Sequence, residues 1–578
     1  MCATRGFRPS LNLLSTALLA LLVGVGATPT AAATCASLFG LELQDTTITA
    51  AEPIPGGTYA APDGEVFTNL PAFCRIAATL TPTSDSNINI EVWMPLSAWN
   101  GRFLGTGNGG GGGTIRYVTL GHFLPLNYAV ANTDQGTSGG NGKALTGHPE
   151  QQIDQFTRST NLMTVRSKQI IEAFYGEHPR YSYFEGCSGG GGQALHEALQ
   201  FPGDYDGIVA GAPDMNATHR AAGHIWNSVV FDGAATITLA QANMITAAVV
   251  KQCAGKDGGL SSDNFLTDPR DCHWDPTALQ CAGAVADTGM CLTAPQVVAM
   301  RKFYQGPINP RTGKRILAGR VRGSESNNGY PASIATLGPS QGPQYWVFGN
   351  DFDWRTFDFD HEMDAIDEEL AARLNANTAY LEEFKSHDGK LILTHGFADP
   401  QVPTLNTVAY YERLIASQTP GIGHGQGERN EALRRTQEFA RLFLFPGVSH
   451  CFSGAGPDTV EGDPLPADRI HDAITWLAVD PLVQWVEHGI APDQIIAAKV
   501  TNGVTAFTRP VCPYPALPRY NGVGDPTKAS SFACVADRDR DGNQPPAPKY
   551  LDDGDNYPIV PIANDDRDRD HGHDHDNR

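Results

Sequence analysis

The chain has 578 residues, 41% hydrophobic and 18% charged, which is enough for a large core and more than one folded unit. Its net charge of −22 argues against nucleic acid and anionic membrane surfaces as partners. Glycine (62) and proline (40) are plentiful, so loops are many.

In chain order, residues 1–33 read as an export leader. Arg5 and Arg8 precede an apolar run from Leu13 to Val25, and Ala31-Ala32-Ala33 offers a small-residue cleavage site. The run is too short to span a bilayer comfortably. Thr34 before Cys35 disfavours a lipoprotein. The expectation is a soluble secreted or periplasmic protein with no membrane partner. Ile88, Ile90, Val92 and Met94 alternate with polar residues as a half-buried strand does. Arg102–Gly105 and Tyr128–Ala131 are short strands, with no helix evident between Gly113 and Tyr128. Asn161–Gly176 has helical spacing and stops at a glycine. Strand Tyr183–Glu185, helix Gln193–Gln200 and the buried strand Gly207–Gly211 then make an α/β run.

The alternation breaks between about 215 and 385 and resumes with strand Lys390–Thr394, helix Leu405–Ala416 and strand Leu442–Phe445. Pro481 is placed to start a helix that Gly489 ends. The expected fold class is α/β, an α/β-hydrolase core with a large inserted lid. Its divisions are a leader (1–33), core (34–214), lid (215–385), core (386–534) and tail (535–578). The tail carries 12 Asp against 6 Lys and Arg, and reads as disordered and acidic.

The chemistry concentrates in Gly186-Cys187-Ser188-Gly189-Gly190 and Ser449-His450-Cys451. The first is G-x-S-x-G between a strand and a helix, the setting of an exposed serine nucleophile. A cysteine just before the serine and another just after the histidine suggest a disulfide that joins nucleophile to base. A disulfide holds its Cα atoms about 4.4–6.8 Å apart. Of 11 cysteines, Cys2 leaves with the leader, and the ten that remain suit an oxidising compartment. Cys35 with Cys74, Cys253 with Cys272, Cys281 with Cys291 and Cys512 with Cys534 close short loops. Other pairings stay open on sequence alone.

In hydrolase order the acid lies between Ser188 and His450. Asp399, after strand Lys390–Thr394, is the choice over Asp351, Asp353 and Asp360, which fall in the lid. His450 would serve as general base and acid, Asp399 would orient it, and His395 reads as structural, with lining the site as its alternative role. The oxyanion hole is expected from the amide of Gly189 with that of Gly109 or Gly110. Gly105-Thr106-Gly107-Asn108-Gly109-Gly110 also matches G-x-G-x-x-G, with Asp134 at ribose-binding distance along the chain. Five successive glycines start a helix poorly, and an exported protein rarely meets a nicotinamide cofactor, so the dinucleotide reading is set aside. No cofactor is expected for catalysis. An acyltransferase on the same triad, or a non-catalytic binding protein of the same fold, are the rival readings.

With these residues assembled, the chain resembles the tannase/feruloyl esterase family of secreted serine esterases, which includes mono(hydroxyethyl) terephthalate hydrolase. The resemblance covers roughly 35–534. It rests on Tyr183 to Ser188, Asp206 to Pro213, His395-Gly396 with Asp399, Pro446-Gly447 before Ser449-His450-Cys451, and Arg509 to Pro515. It implies the triad Ser188, Asp399, His450, five disulfides that fit the pairs above, and an aromatic ester, such as a hydroxycinnamate or gallate, as small-molecule substrate. It also implies a structural calcium in the lid, held here by Asp257, Asp263 and the carbonyls of Gly259 and Phe265. Ala254 stands where the first acidic ligand is expected, and Lys256 adds positive charge. In the tail, His571, His573 and His575, and the calcium-loop-like Asp537–Gly542, read as solubilising sequence.

Overall fold

A computed structural model of the chain describes residues 34–138, 142–282, 289–327, 330–331, 342–418, 426–461 and 472–536. The expected leader, Cys2 and the tail from Asp537 onward, with its histidines, lie outside these residues. Nine strands form one sheet: β1 (Thr46–Ile54), β2 (Phe73–Leu80), β3 (Ile88–Pro95), β4 (Arg102–Thr106), β5 (Ala129–Thr133), β6 (Tyr181–Cys187), β7 (Gly207–Gly211), β8 (Lys390–Gly396) and β9 (Ala440–Phe445). Their spatial order is β1-β2-β3-β5-β4-β6-β7-β8-β9. The first three strands are antiparallel to their neighbours, and β5 through β9 in that order run parallel.

Parallel neighbours need crossovers, and helices supply them. α1 (Ser159–Tyr175) joins β5 to β6, and α2 (Gly189–Gln200) joins β6 to β7. Between β7 and β8 lies a long insertion with α3 (Ala217–Val230), α4 (Leu239–Cys253) and α5 (Ala294–Gln305). α6 (Thr404–Ser417) follows β8, and α7 (Ala473–His488) follows β9. Strand residues alternate between two cores because side chains on a strand point to opposite faces. Phe103, Ile208, Leu391 and Leu442 pack with α1, α2 and α6. Leu104, Val209, Ile392 and Phe443 pack with α7 on the other face. The sheet is therefore buried on both sides, as an α/β fold requires. The insertion has apolar clusters of its own, one around Trp274 and Phe303 and one around Phe357 and Leu370. Among the described residues, no helix is long and apolar enough to cross a membrane.

Several elements differ from the sequence reading, among them β1 and β2, which it did not name. A short helix, Tyr117–Phe123, stands where none was evident, and Tyr117, Leu120 and Phe123 tuck it against Trp93. α2 begins at Gly189 rather than Gln193, so four glycines form its first turn; close backbone contacts there override their low propensity. Pro481 lies inside α7 instead of opening it. A mid-helix proline costs about 3 kcal/mol. Burial of Ile474, Ala478, Val479 and Leu482 on one face offsets that cost.

Leu482 is fully buried, and its side chain reaches to 3.0 Å from where a Cβ on Gly207 of β7 would lie. Leu482→Ala is expected to lower unfolding free energy by about 2–5 kcal/mol in a denaturant titration. A change under about 1 kcal/mol would mean that α7 contributes little to this face of the core.

Candidate active site

Ser188 sits at the β6–α2 junction with φ 64° and ψ −119°, backbone that a non-glycine residue adopts only under restraint. The restraint is visible. The Ser188 amide donates to Gly211 O at 2.9 Å, and its carbonyl accepts from the amides of Gly192 and Asp214, each at 3.0 Å. The loop after β4 lies backbone to backbone on this turn. A Cβ on Gly107 would come within 2.6 Å of the Gly190 Cα, so glycine is compulsory there. A Cβ on Gly189 would meet Gly110 O at 2.8 Å, so the structure brings Gly189 and Gly110 together, while Gly109 faces the Arg116 guanidinium. The loop is pinned from behind by Gln193, whose Oε1 accepts the Asn108 amide at 2.8 Å.

The dinucleotide alternative finds no support in Asp134. Its carboxylate is consumed by the Asn89 and Gly136 amides and the Asn89 side chain.

All five expected disulfides are formed: Cys35–Cys74, Cys187–Cys451, Cys253–Cys272, Cys281–Cys291 and Cys512–Cys534. Cys187 and Cys451 bring their Cα atoms to 6.0 Å across 264 residues of chain. The bridge thus joins the residue before Ser188 to the residue after His450. His450 Nδ1 lies 2.6 Å from Asp399 Oδ2. The competing acids are elsewhere: Asp353 accepts the Arg355 amide, and Asp360 pairs with Arg311. Gly396 lets the acid loop approach, since a Cβ there would overlap Ser449 O, one residue before His450.

Asp399 is fully buried. Burial alone would raise its pKa, but His450 and His395 outweigh that, and the carboxyl titrates well below the usual range. Burial works against a charged His450 as well. The Asp399 carboxylate, assisted by Asp472 and Asp214, nonetheless lifts its pKa above 6.5. With Nδ1 donating to Asp399, the lone pair of His450 is on Nε2.

A cavity opens on this turn, lined by Ser188, Gly189, Gly110 and Gly111 at one end and by Phe156, Pro343 and Trp346 elsewhere. Phe156 and Trp346 stand edge to face at 6.2 Å. Arg220 and His224, one turn apart on α3, also line it, and Arg220 pairs with Asp214 at 2.6 Å. Burial, with Arg220 and Arg320 nearby, holds the His224 pKa well below its ordinary value. Gln155 lends a buried Oε1 that has no partner among the described residues. Ser188, Gly189 and Gly110 were named from the sequence, but Gln155, Phe156, Arg220, His224, Pro343 and Trp346 were not. A helical face that repeats Arg220 and His224 four residues apart was the sole available signal.

A family profile described as tannase and feruloyl esterase matches residues 74–535. The chain is 37% identical to an uncharacterized esterase of Xanthomonas campestris pv. campestris, over 90% of this chain and 94% of that one. It is 30% identical to a probable feruloyl esterase B of Emericella nidulans, covering 86% and 93%. Its fold is similar to the crystal structure of feruloyl esterase B from Aspergillus oryzae, with TM-score 0.76 and 26% identity over 87% of this chain and 99% of that one. The chain is a carboxylic ester hydrolase of α/β architecture. It belongs to the tannase and feruloyl esterase family.

The two carboxylates expected to hold calcium, Asp257 and Asp263, accept protein donors. Asp257 Oδ1 accepts the Gly255 and Gly259 amides at 3.1 and 3.2 Å, and its Oδ2 accepts the Thr267 amide. Asp263 Oδ2 accepts the Leu260 amide, while Oδ1 faces the Arg509 guanidinium at 3.0 Å. Calcium wants about six to eight oxygens. Ala254 supplies no carboxylate, and Arg509 brings a positive charge to Asp263, so this donor set does not fit the ion. The Arg509–Asp263 pair is nearly closed to solvent and ties the insertion to the C-terminal strands. Excess EDTA is expected to leave the melting temperature unchanged, whereas Arg509→Met should cost about 3–5 kcal/mol by stranding Asp263. A melting temperature that EDTA lowers and calcium restores would overturn this assignment.

Proposed function

We propose that the chain is an exported serine esterase whose triad is Ser188, His450 and Asp399. What supports the reading is the 2.6 Å His450–Asp399 bond on a loop that a disulfide fastens beside Ser188. Ser188 Oγ attacks the ester carbonyl while His450 Nε2 takes its proton. The developing oxyanion receives the amides of Gly189 and Gly110, at the positive end of α2. His450 then protonates the leaving alcohol, and water cleaves the acyl-enzyme by the same steps in reverse. Asp399 fixes the tautomer of His450 and stabilises the imidazolium.

For the acyl group we propose an aromatic acid of the hydroxycinnamic or gallic kind. Phe156 and Trp346 offer flat apolar faces to a ring. Gln155 Oε1 is positioned to accept from a phenolic hydroxyl, with Arg220 near the same cavity. The insertion supplies Arg220, His224, Pro343 and Trp346, and so acts as a lid that selects substrate. Export is supported by the leader-like residues 1–33 and by five disulfides, which persist in oxidising compartments.

Methyl ferulate, methyl gallate, mono(hydroxyethyl) terephthalate and p-nitrophenyl acetate form the test panel. Turnover of at least one aromatic ester is expected, and Ser188→Ala should remove it while the fold persists; full activity in that variant sinks the triad. Because His450 works as a base only when unprotonated, kcat/KM should fall as pH drops through a value above 6.5. An acid limb below 6.5 would contradict the pairing with Asp399. The double variant Cys187→Ala, Cys451→Ala is expected to lose most of kcat; retention of wild-type kcat would show that the bridge does not position the pair.

A further inference from the structure

Asp399 is held by more than the base it orients. Its Oδ1 accepts the Gln401 amide at 2.7 Å and the Val402 amide at 3.0 Å. Its Oδ2 accepts from His450 Nδ1 and also lies 3.1 Å from His395 Nε2. One carboxylate oxygen is therefore shared by two imidazoles. His395 is at the end of β8, one turn ahead of Asp399, and both side chains are fully closed to solvent. This second histidine has no route to substrate.

The protonation pattern of His395 follows from its neighbours. Nε2 faces two groups that only accept, Asp399 Oδ2 and, at 3.2 Å, Val402 O. It must carry a hydrogen to be satisfied. Nδ1 lies 2.9 Å from Thr407 Oγ1, in the first turn of α6, and a hydroxyl can donate there. The ring thus spans β8, the acid loop and α6, with its N–H aimed at the carboxylate. The charged groups around Asp399 are His450, His395 and Arg320, and Arg320 grips the same loop through Pro400 O at 2.7 Å and Gln401 O at 2.9 Å.

We propose that His395 is a positioning residue of this site: its Nε2–H, with the tautomer set by Thr407, fixes the plane of the Asp399 carboxylate so that Oδ2 faces His450. The proposal rests on the Ser188–His450–Asp399 reading. Two backbone amides hold Oδ1 and leave the carboxylate able to turn about that oxygen. His395 removes the freedom by holding Oδ2. A ring that only filled space would need neither the Nε2 donor nor the Thr407 hydroxyl.

The test is steady-state kinetics with p-nitrophenyl acetate, a substrate that does not depend on the acyl pocket, on the whole mature chain. His395→Leu removes the donor, and His395→Gln returns an N–H near the Nε2 position. Thr407→Val keeps shape and removes the hydroxyl. For His395→Leu, kcat should fall by about 10–100-fold with KM within about twofold, less than the ~10²–10⁴ of a general base itself. Its acid limb should move toward 6.5, because a loosened Asp399 lifts His450 less. His395→Gln should recover most of both, and Thr407→Val should fall between. A folded His395→Leu with wild-type kcat and acid limb would overturn the proposal, as would a Gln variant no better than Leu. If His395→Leu fails to fold, Thr407→Val decides alone, and an unchanged kcat and pH profile there overturns it. Ser188→Ala separates the two readings: activity without the serine hydroxyl defeats the triad, whereas a serine-dependent enzyme indifferent to His395 defeats only this proposal.

Discussion

The Cys187–Cys451 bridge is the constraint on which the site depends. Cys187 ends β6 and Cys451 follows β9, with β7 and β8 between them in the sheet. The bond therefore spans the carboxyl ends of two intervening strands and gathers three loops over them. In α/β sheets, ligands meet this edge because the loops there carry side chains and the helix N-termini point outward. Closing 264 residues of chain limits the unfolded ensemble by about 5.6 kcal/mol in the chain-entropy account. Its local effect matters more, since the neighbours of the two cysteines are the serine and the histidine.

A disulfide fixes distance but not approach, and the glycines supply the rest. Gly107, Gly189 and Gly396 stand where backbone meets backbone closely enough that a single methyl would collide. At Gly107 the loop after β4 lies on the serine turn. At Gly396 the acid loop slides under the carbonyl of Ser449. The strained φ of Ser188 is tolerable because its amide donates to Gly211 O and its carbonyl accepts from the Gly192 and Asp214 amides, which over-determine it. Strain, close packing and covalent closure all act within a few residues of the same hydroxyl.

How legible this was in the sequence varied with the range of the interaction. Ser188, Asp399 and four of the cysteine pairs carry a local mark, a G-x-S-x-G turn, a strand followed by His395-Gly396, or a short loop between cysteines, whereas His450 and the Cys187–Cys451 pair were marked by the cysteines that adjoin Ser188 and His450. The parallel strands were visible as short apolar runs, because a sheet buried on both faces needs them. β1 was not, since its residues are mostly half-exposed and Pro53 interrupts it. The cavity walls were hidden for another reason. Gln155 lies on a π-helical turn ahead of α1, where the helical period is broken. Trp346 comes from the insertion, and only the tertiary fold brings it against Phe156. His395 was seen but read as structural, because nothing in the spacing shows that it reaches the same oxygen as His450.

Two buried carboxyls near Ser188 show how placement of donors sets charge at this site. Glu185, two residues before Cys187 on β6, is closed to solvent, and neither of its oxygens has a hydrogen-bond partner among the described residues. Burial, reinforced by Asp472, lifts its pKa well above the ordinary value despite Arg116 nearby. Asp399 is equally buried but accepts two amides and two imidazoles, and it stays ionised. The same buried interior thus raises the pKa of Glu185, beside Asp472, while the two imidazoles that meet Asp399 outweigh burial and lower its pKa.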